Sequence, residues 1–320
     1  MFDIVRYTPE RADEWNLFVA QSKNGTFLFD RRYMDYHADR FADRSLMFYD
    51  GRGRLYALLP ACQEGGVLYS HRGLSYGGLV MTEKSTTDDV CTLFAELNSY
   101  LASQGISRVV YKAVPWIYHR LPSEEDLFAL FVRCHAQLVG RDVSSTIFAA
   151  NPLKWRRDRR YKANKARSNG ITVCRSDDYD AFWPVLADNL WSCHHARPVH
   201  TLEEIKLLHQ RFPDNIQLWV AHSADGLLVA GTVVYVSGGT VHCQYISASP
   251  LGKQLHAVDA LLRHILTEAY HDKALFDLGT SNIPGGHELH TSLIFQKEGF
   301  GGRAVCYDTY EWQPQQAVGS

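Results

Sequence analysis

No stretch of the 320-residue chain approaches the ~20 consecutive apolar positions that a membrane-spanning helix needs. The opening residues, MFDIVRYTPERADEW, hold no positively charged start followed by an apolar core, so no export signal is expected. A disulfide framework is missing as well. Cys62, Cys91, Cys134, Cys174, Cys193, Cys243 and Cys306 are odd in number, widely spaced and without a CxxC pair, which also speaks against zinc. Reduced thiols, a cytoplasmic location and no bound metal are the expectation. Neither sign of charge is in excess, with Lys+Arg 33 against Asp+Glu 35, so no global feature marks a nucleic acid or an anionic membrane as the main partner. Any basic site must be local.

The length favours two domains. Phe2 to Tyr7 reads as a strand, and Thr8-Pro9-Glu10 opens a helix with a capping hydroxyl and a first-turn proline. Ser45 to Tyr49 and Arg54 to Ala61 are apolar runs joined by Asp50-Gly51-Arg52-Gly53, a hairpin signal. Val67 to Tyr69 and Leu74 to Val80 extend this sheet. A helix from about Thr87 to Ser103 carries Val90, Leu93, Phe94, Leu97 and Leu101 at helical spacing. Val109 to Tyr111, a short helix over Glu124 to Phe131 and an extended Ala136 to Phe148 follow.

The second half repeats the plan. Ile216 to Val220 and Leu227 to Val236 flank a turn, Gly238-Gly239 leads into Thr240 to Ser247, and Gln254 to Tyr270 reads as one amphipathic helix. Ala274 to Phe276 then reach Asp277 and a loop rich in Gly, Ser, Asn and Pro. After a helical segment, Ala304 to Tyr310 reads as a last strand. The fold class implied is α/β (α+β), a mixed sheet with helices on its faces, made twice.

The order of elements, the segments Phe276-Asp277-Leu278-Gly279 and Gln296-Lys297-Glu298-Gly299-Phe300-Gly301, and the basic run Arg159 to Ile171 carry a family likeness. The chain resembles the tandem GNAT-fold transferases related to the Fem-type (FemAB-like) peptidyltransferases. That resemblance implies two tandem GNAT-like domains, each a mixed twisted sheet flanked by helices, over 1–150 and 151–312, with a flexible tail at 313–320. It also implies acyl transfer in polysaccharide or small-molecule pathways. Two departures stand out. Cross-bridge-building members often carry a long helical hairpin, whereas Asn189 to Asn215 holds at most one short helix, about Leu202 to Arg211. Single-domain GNAT enzymes hold the coenzyme A pyrophosphate on an Arg/Gln-x-x-Gly-x-Gly/Ala turn, which Ser249-Pro250-Leu251-Gly252-Lys253-Gln254 matches poorly.

Asp277, ending an apolar strand, is a candidate base for an attacking amine, since an ammonium must lose a proton before it attacks. The alternative is a carboxylate that braces the loop after it. His290 and His287 are further candidate bases, imidazoles titrating near neutrality. Lys297 would stabilise an oxyanion or hold a donor phosphate, or be a surface lysine before a turn. Gly252 and Lys253 precede a helix whose free N–H groups suit a pyrophosphate, as any helix start does. On a helix, Arg156, Arg160 and Arg167 share a stripe and want an anionic counter-ligand or solvent. The resemblance puts that helix by the acceptor groove, where a sugar-nucleotide diphosphate or a tRNA end would suit it. It puts the glycine-rich loop Ser70 to Gly78 there too, with His71, Arg72 and Tyr76 as acceptor contacts. Cys193-His194-His195 reads as a helix end without chemistry.

The function these features imply is an N-acyltransferase using acyl-CoA as co-substrate, with no permanently bound cofactor. Its acceptor amine would be an amino sugar on a nucleotide or a similar precursor. An aminoacyl-tRNA donor is the second reading; the slightly acidic net charge opposes it and the basic helix favours it. A non-catalytic binding module is the third, supported by the poor pyrophosphate turn.

Overall fold

The computed structural model describes residues 1–283 and 287–315, apart from the side chains of Cys193 and His194. Pro284, Gly285 and Gly286 of the loop after Asp277, and residues 316–320 of the tail expected to be flexible, lie outside the described residues. The chain forms two compact units, one built on Met1–Asp142 and rejoined by the chain from Cys306, the other on Val143–Ile283 and Glu288–Val305.

The first unit runs β1 (Asp3–Arg6), α1 (Ala12–Gln21), α2 (Arg31–Met34), β2 (Leu46–Tyr49), β3 (Leu55–Leu59), β4 (Cys62–Glu64), β5 (Val67–Tyr69), β6 (Val80–Met81), α3 (Thr87–Ser103), β7 (Arg108–Lys112) and α4 (Glu125–Cys134). Strands β1, β2, β3 and β6 form an antiparallel sheet in that order. β5 pairs antiparallel with β4 and parallel with β7, and the chain's end, Thr309 to Trp312, adds antiparallel to β7. The β2–β3 turn closes as read. Asp50 Oδ1 accepts the N–H groups of Arg52 (2.9 Å) and Arg54 (3.0 Å), and Gly53 supplies the left-handed residue, φ 72. Thr86 caps α3 by accepting from Asp89 N, and the helix buries its predicted stripe, Val90, Leu93, Phe94, Leu97 and Leu101, in the core.

The strand read over Leu74 to Val80 is shorter than expected. Only Val80–Met81 is β6, because the preceding loop folds on itself instead of pairing. Gly77 sits so close that an added Cβ would lie 1.6 Å from Ser70 O, and its N–H goes to Lys112 O (3.1 Å). Only glycine fits there.

β8 (Gln137–Phe148) passes from the first unit into the second, which continues with α5 (Arg157–Ser168), β9 (Thr172–Ser176), α6 (Tyr179–His194), α7 (Leu202–Arg211), β10 (Ile216–His222), β11 (Leu228–Ser237), β12 (Thr240–Ala248), α8 (Pro250–Gln254), α9 (Ala257–His264), β13 (Leu275–Thr280) and α10 (Thr291–Glu298); β14 (Arg303–Trp312) begins in this unit and ends in the first. Here the strand order is β9-β10-β11-β12-β13-β8; β12 and β13 are parallel and every other neighbour is antiparallel. α7 opens with a full capping box, Thr201 and Glu204 exchanging side-chain and backbone bonds. The single helix read over Gln254 to Tyr270 is broken. His256 takes a left-handed conformation (φ 58) between α8 and α9, and Ile265–Ala269 winds as a π-turn. Leu261, Leu262 and Ile265 still bury the expected stripe against β12 and β13.

One buried carboxyl marks the first unit's core. Asp126, 4 % exposed, accepts from the Tyr111 hydroxyl, which accepts from Leu79 N (2.7 Å). Burial pushes the Asp126 carboxyl up to about 7. The folded state therefore holds a proton that the unfolded chain releases between pH ~4 and ~7, so this group's contribution to stability falls as pH rises through that window. In Asp126→Asn the penalty is absent. Chemical denaturation at pH 4.5 and 8 is expected to show the variant gaining on the wild type by a few kcal/mol between the two pH values.

Candidate active site

The parallel ladder between β12 and β13 has three rungs, Thr240 with Leu275, Val241 with Phe276 and His242 with Asp277, and ends there. Beyond it the pairing of β12 with β11 shifts between Val233 and Val234, leaving Gln244 as an extra residue, a β-bulge. The site lies at the last rung. Phe276 and Leu278 enter the core beneath α9, so strand alternation sends the Asp277 side chain to the opposite face.

Asp277 is 0 % exposed and fully engaged. Its Oδ1 accepts from the Ser144 hydroxyl, from Thr146 Oγ1 (3.4 Å) and from Gly279 N (3.2 Å). Its Oδ2 faces Nδ1 of His242 at 2.7 Å. A carboxylate only accepts, so Nδ1 carries a proton and, in the neutral imidazole, Nε2 carries the lone pair. Lys297, reaching over from α10, donates to Gly279 O (2.8 Å) and Thr280 O (2.7 Å), leaving one of its three N–H bonds for another acceptor. Gly279 stands between the two groups: a Cβ added there would lie 3.6 Å from His242 Cε1 and 3.8 Å from Lys297 Nζ. Burial pulls the Lys297 ammonium down to about 8, with Asp277 holding it up in part. Cys243 is buried and its thiol is pushed up to about 12, first by burial and then by Asp277, so it is no nucleophile. An imidazole with a fixed lone pair beside an ammonium is an arrangement for removing a proton and steadying a developing negative charge.

The structure thus brings Asp277 and Lys297 together, around a histidine the sequence reading missed. His242 carried one signal, a polar position between Val241 and Cys243 in an apolar strand; that it meets Asp277 depends on the register of two strands 35 residues apart. His290 is the N-cap of α10, its Nδ1 accepting from Leu293 N (3.3 Å) and its N–H donating to Ser281 O (2.8 Å). His287 is exposed.

Gly252 needs correction as a donor-phosphate contact. It packs against β11, where a Cβ would sit 2.1 Å from Val229 O, and its N–H is taken by Ser249 Oγ (3.1 Å). Lys253 beside it is exposed on α8. Arg156 is corrected likewise from a ligand contact to a pin: its guanidinium lies 3.6 Å from the Phe295 ring centroid and pairs with Asp158 (3.2 Å), while its N–H donates to Gly299 O (2.9 Å). Arg160 and Arg167 are exposed. In the first unit Tyr76, 3 % exposed, offers no open hydroxyl, since it donates to Thr26 Oγ1 (3.2 Å). Arg72 pairs with Glu64 over the Tyr69 ring. His71 is 3 % exposed with φ 69, stacks on His37 (5.3 Å between centroids), and is pushed down to about 3 by burial. It lines a cavity of ≈ 500 Å³ with Arg31 and Asp43.

Residues 154–288 match the family described as acetyltransferase (GNAT) domain. That match covers fewer than half of the chain's 320 residues. The fold of the chain as a whole is similar to several solved structures. One is FemX, with a TM-score of 0.69 at 11 % identity over 97 % of each chain. Another is L-PGS from Bacillus licheniformis, with 0.59 at 14 % over 98 % of this chain and 94 % of that one. A third is a tandem GNAT protein from the clavulanic acid biosynthesis pathway, with 0.52 at 12 % over 98 % and 99 %. No curated protein matches the sequence. The Fem-like, tandem GNAT resemblance read from the FDLG and QKEGFG segments therefore holds for the fold. Among the described residues no helix is long and apolar enough to cross a membrane, and no cluster of His, Cys, Asp and Glu is arranged for a metal.

The depressed lysine is directly testable. Trace labelling with acetic anhydride, read by mass spectrometry across pH, is expected to give half-maximal modification of Lys297 near pH 8, well below the ordinary lysine range. A midpoint above 10 would contradict the buried setting of its ammonium.

Proposed function

We propose that the GNAT domain is an N-acyltransferase in which His242, held by Asp277, takes the proton from an acceptor amine. The observation that carries this reading is the pairing of a buried carboxylate with an imidazole at the last rung of the β12–β13 ladder, with Lys297 alongside. The donor is a thioester, acyl-CoA. The amine nitrogen forms the new C–N bond as the thioester carbonyl becomes a tetrahedral oxyanion, for which the third N–H of Lys297 is the available donor. His242 Nε2 removes the nitrogen's proton, the C–S bond breaks, and the leaving thiolate takes that proton to give an amide and free thiol. Because a thioester is already activated, orientation and proton removal are what the residues must supply. The acceptor class is an amine on a sugar or a similar small precursor, for which exposed Arg160 and Arg167 offer a charge partner if it bears phosphate.

Thiol release from acetyl-CoA with a panel of amines tests the activity. Amine-dependent release is the expected result; if amide forms only from aminoacyl-tRNA, the donor assignment falls. Asp277→Asn is expected to lower kcat on the order of 10²-fold or more. An amide donates to His242 Nδ1, moves the proton to Nε2 and removes the lone pair that must accept. Full turnover of this variant across pH would rule out the His242–Asp277 pair as the base. A thermal shift on adding acetyl-CoA, about 2.7 kcal/mol at ~100 times Kd, reports donor binding independently of turnover.

A further inference from the structure

A cavity in the unit that holds Asp277 lies outside the cluster around that residue. It measures ≈ 410 Å³ and opens between α6 and the chain leading into α7. Trp183, Trp191 and Pro198 supply its flat apolar surfaces, and Asp188, Arg197 and Thr201 its polar groups. Trp183 packs edge-on against Tyr245 of β12 (5.5 Å between centroids), and Tyr245 OH lies 2.7 Å from Nδ1 of His200, which also lines the cavity. Trp191 is 57 % exposed, a large indole held at the surface with no core to fill.

The bulge at Gln244 ties this cavity to the chemistry. Val241 and Cys243 enter the core beneath α9, so His242 points to the other face. Strict alternation would then put Tyr245 on the core side. The extra residue resets the alternation: Ile246 packs on the core, while Tyr245 and Ser247, whose hydroxyl donates to Val185 O of α6 (3.1 Å), share the face of His242. Three residues of bulged strand span roughly 7–10 Å, so Tyr245, against which Trp183 of the cavity wall packs, stands about that far along the same face of β12 from His242.

We infer that this cavity binds the sugar ring of the acceptor, stacked on Trp191, with its hydroxyls taken by Asp188, Arg197 and Thr201. The chemistry favours a sugar over the other candidates. An acyl chain needs an enclosed apolar slot, and this one has charges of both signs at its polar side. A strongly charged ligand would meet opposed charges, since Asp188 and Arg197 both face it. A pyranose has one apolar C–H face for an indole and an equatorial rim of hydroxyls that a carboxylate, a guanidinium and a hydroxyl recognise together. The assignment rests on the acyl-transfer reading only for calling the sugar an acceptor; the binding site itself does not.

Saturation-transfer NMR on the full chain with glucosamine, N-acetylglucosamine and cyclohexylamine tests it. Both sugars are expected to receive saturation at their ring protons and cyclohexylamine little. Trp191→Ala is expected to cut the transfer at least about fivefold with its thermal midpoint kept, Trp191→Phe to retain part, and Asp188→Asn to weaken both sugars. No transfer to either sugar, equal transfer to cyclohexylamine, or unchanged transfer in Trp191→Ala would each overturn the sugar site. Thiol release from acetyl-CoA is scored separately. Turnover with non-sugar amines alone would sink the sugar acceptor while sparing the acyltransferase. Trp191-dependent sugar binding without amine-dependent turnover would do the reverse.

Discussion

A carboxylate with no exposed surface has to find every hydrogen bond inside the protein, and Asp277 finds them on β8, on β12 and two residues further along its own strand. An unpaired buried charge would cost several kcal/mol, so the register of the neighbouring strands is coupled to this one side chain. Slipping β8 by one residue would turn Ser144 and Thr146 to the other face. Slipping β12 would replace His242 with Val241 or Cys243 at the rung that closes the ladder. The same constraint that holds the strands in place fixes the imidazole's tautomer, and with it the direction from which a proton can be accepted.

The glycines and the bulge around this rung do related work. Gly279, at φ 80, lets the chain turn its N–H back to Asp277 while its carbonyl goes to Lys297, so one residue links the carboxylate to the ammonium. Gln244 lets β12 present His242 and Tyr245 on one face although three positions separate them. A regular strand would have divided the two between faces.

Much of the basic helix is held by its own unit. Arg159 makes a partly buried pair with Asp259 of α9 (3.1 Å), and Arg263 donates to Asn164 (2.5 Å), so charge reads here as packing of α5 on α9. Burial raises the Asp259 carboxyl, with Arg159 opposing that shift. Arg156 is committed to Phe295 and Asp158. Of the predicted stripe, Arg160 and Arg167 face solvent. Spacing places side chains around a helix but does not say which neighbours come to meet them.

Local pattern by itself determined the helix Thr87–Ser103 with its capping threonine, the Asp50 turn, the strands on either side of it and the segment carrying Asp277, because these depend on residues a few positions apart. It overran at Leu74 to Val80 and at Gln254 to Tyr270, where a self-contacting glycine and a left-handed histidine interrupt apolar runs that look continuous. Lys297 and Asp277 were legible as chemistry-bearing residues near glycines. His242 was not, since a histidine in a strand means nothing until the opposite strand is known. The site's identity was decided by the register of β12 against β13, a contact between residues 35 apart that only the tertiary structure makes. Burial then turned that contact into chemistry by taking water away from the carboxylate and leaving the imidazole as its partner.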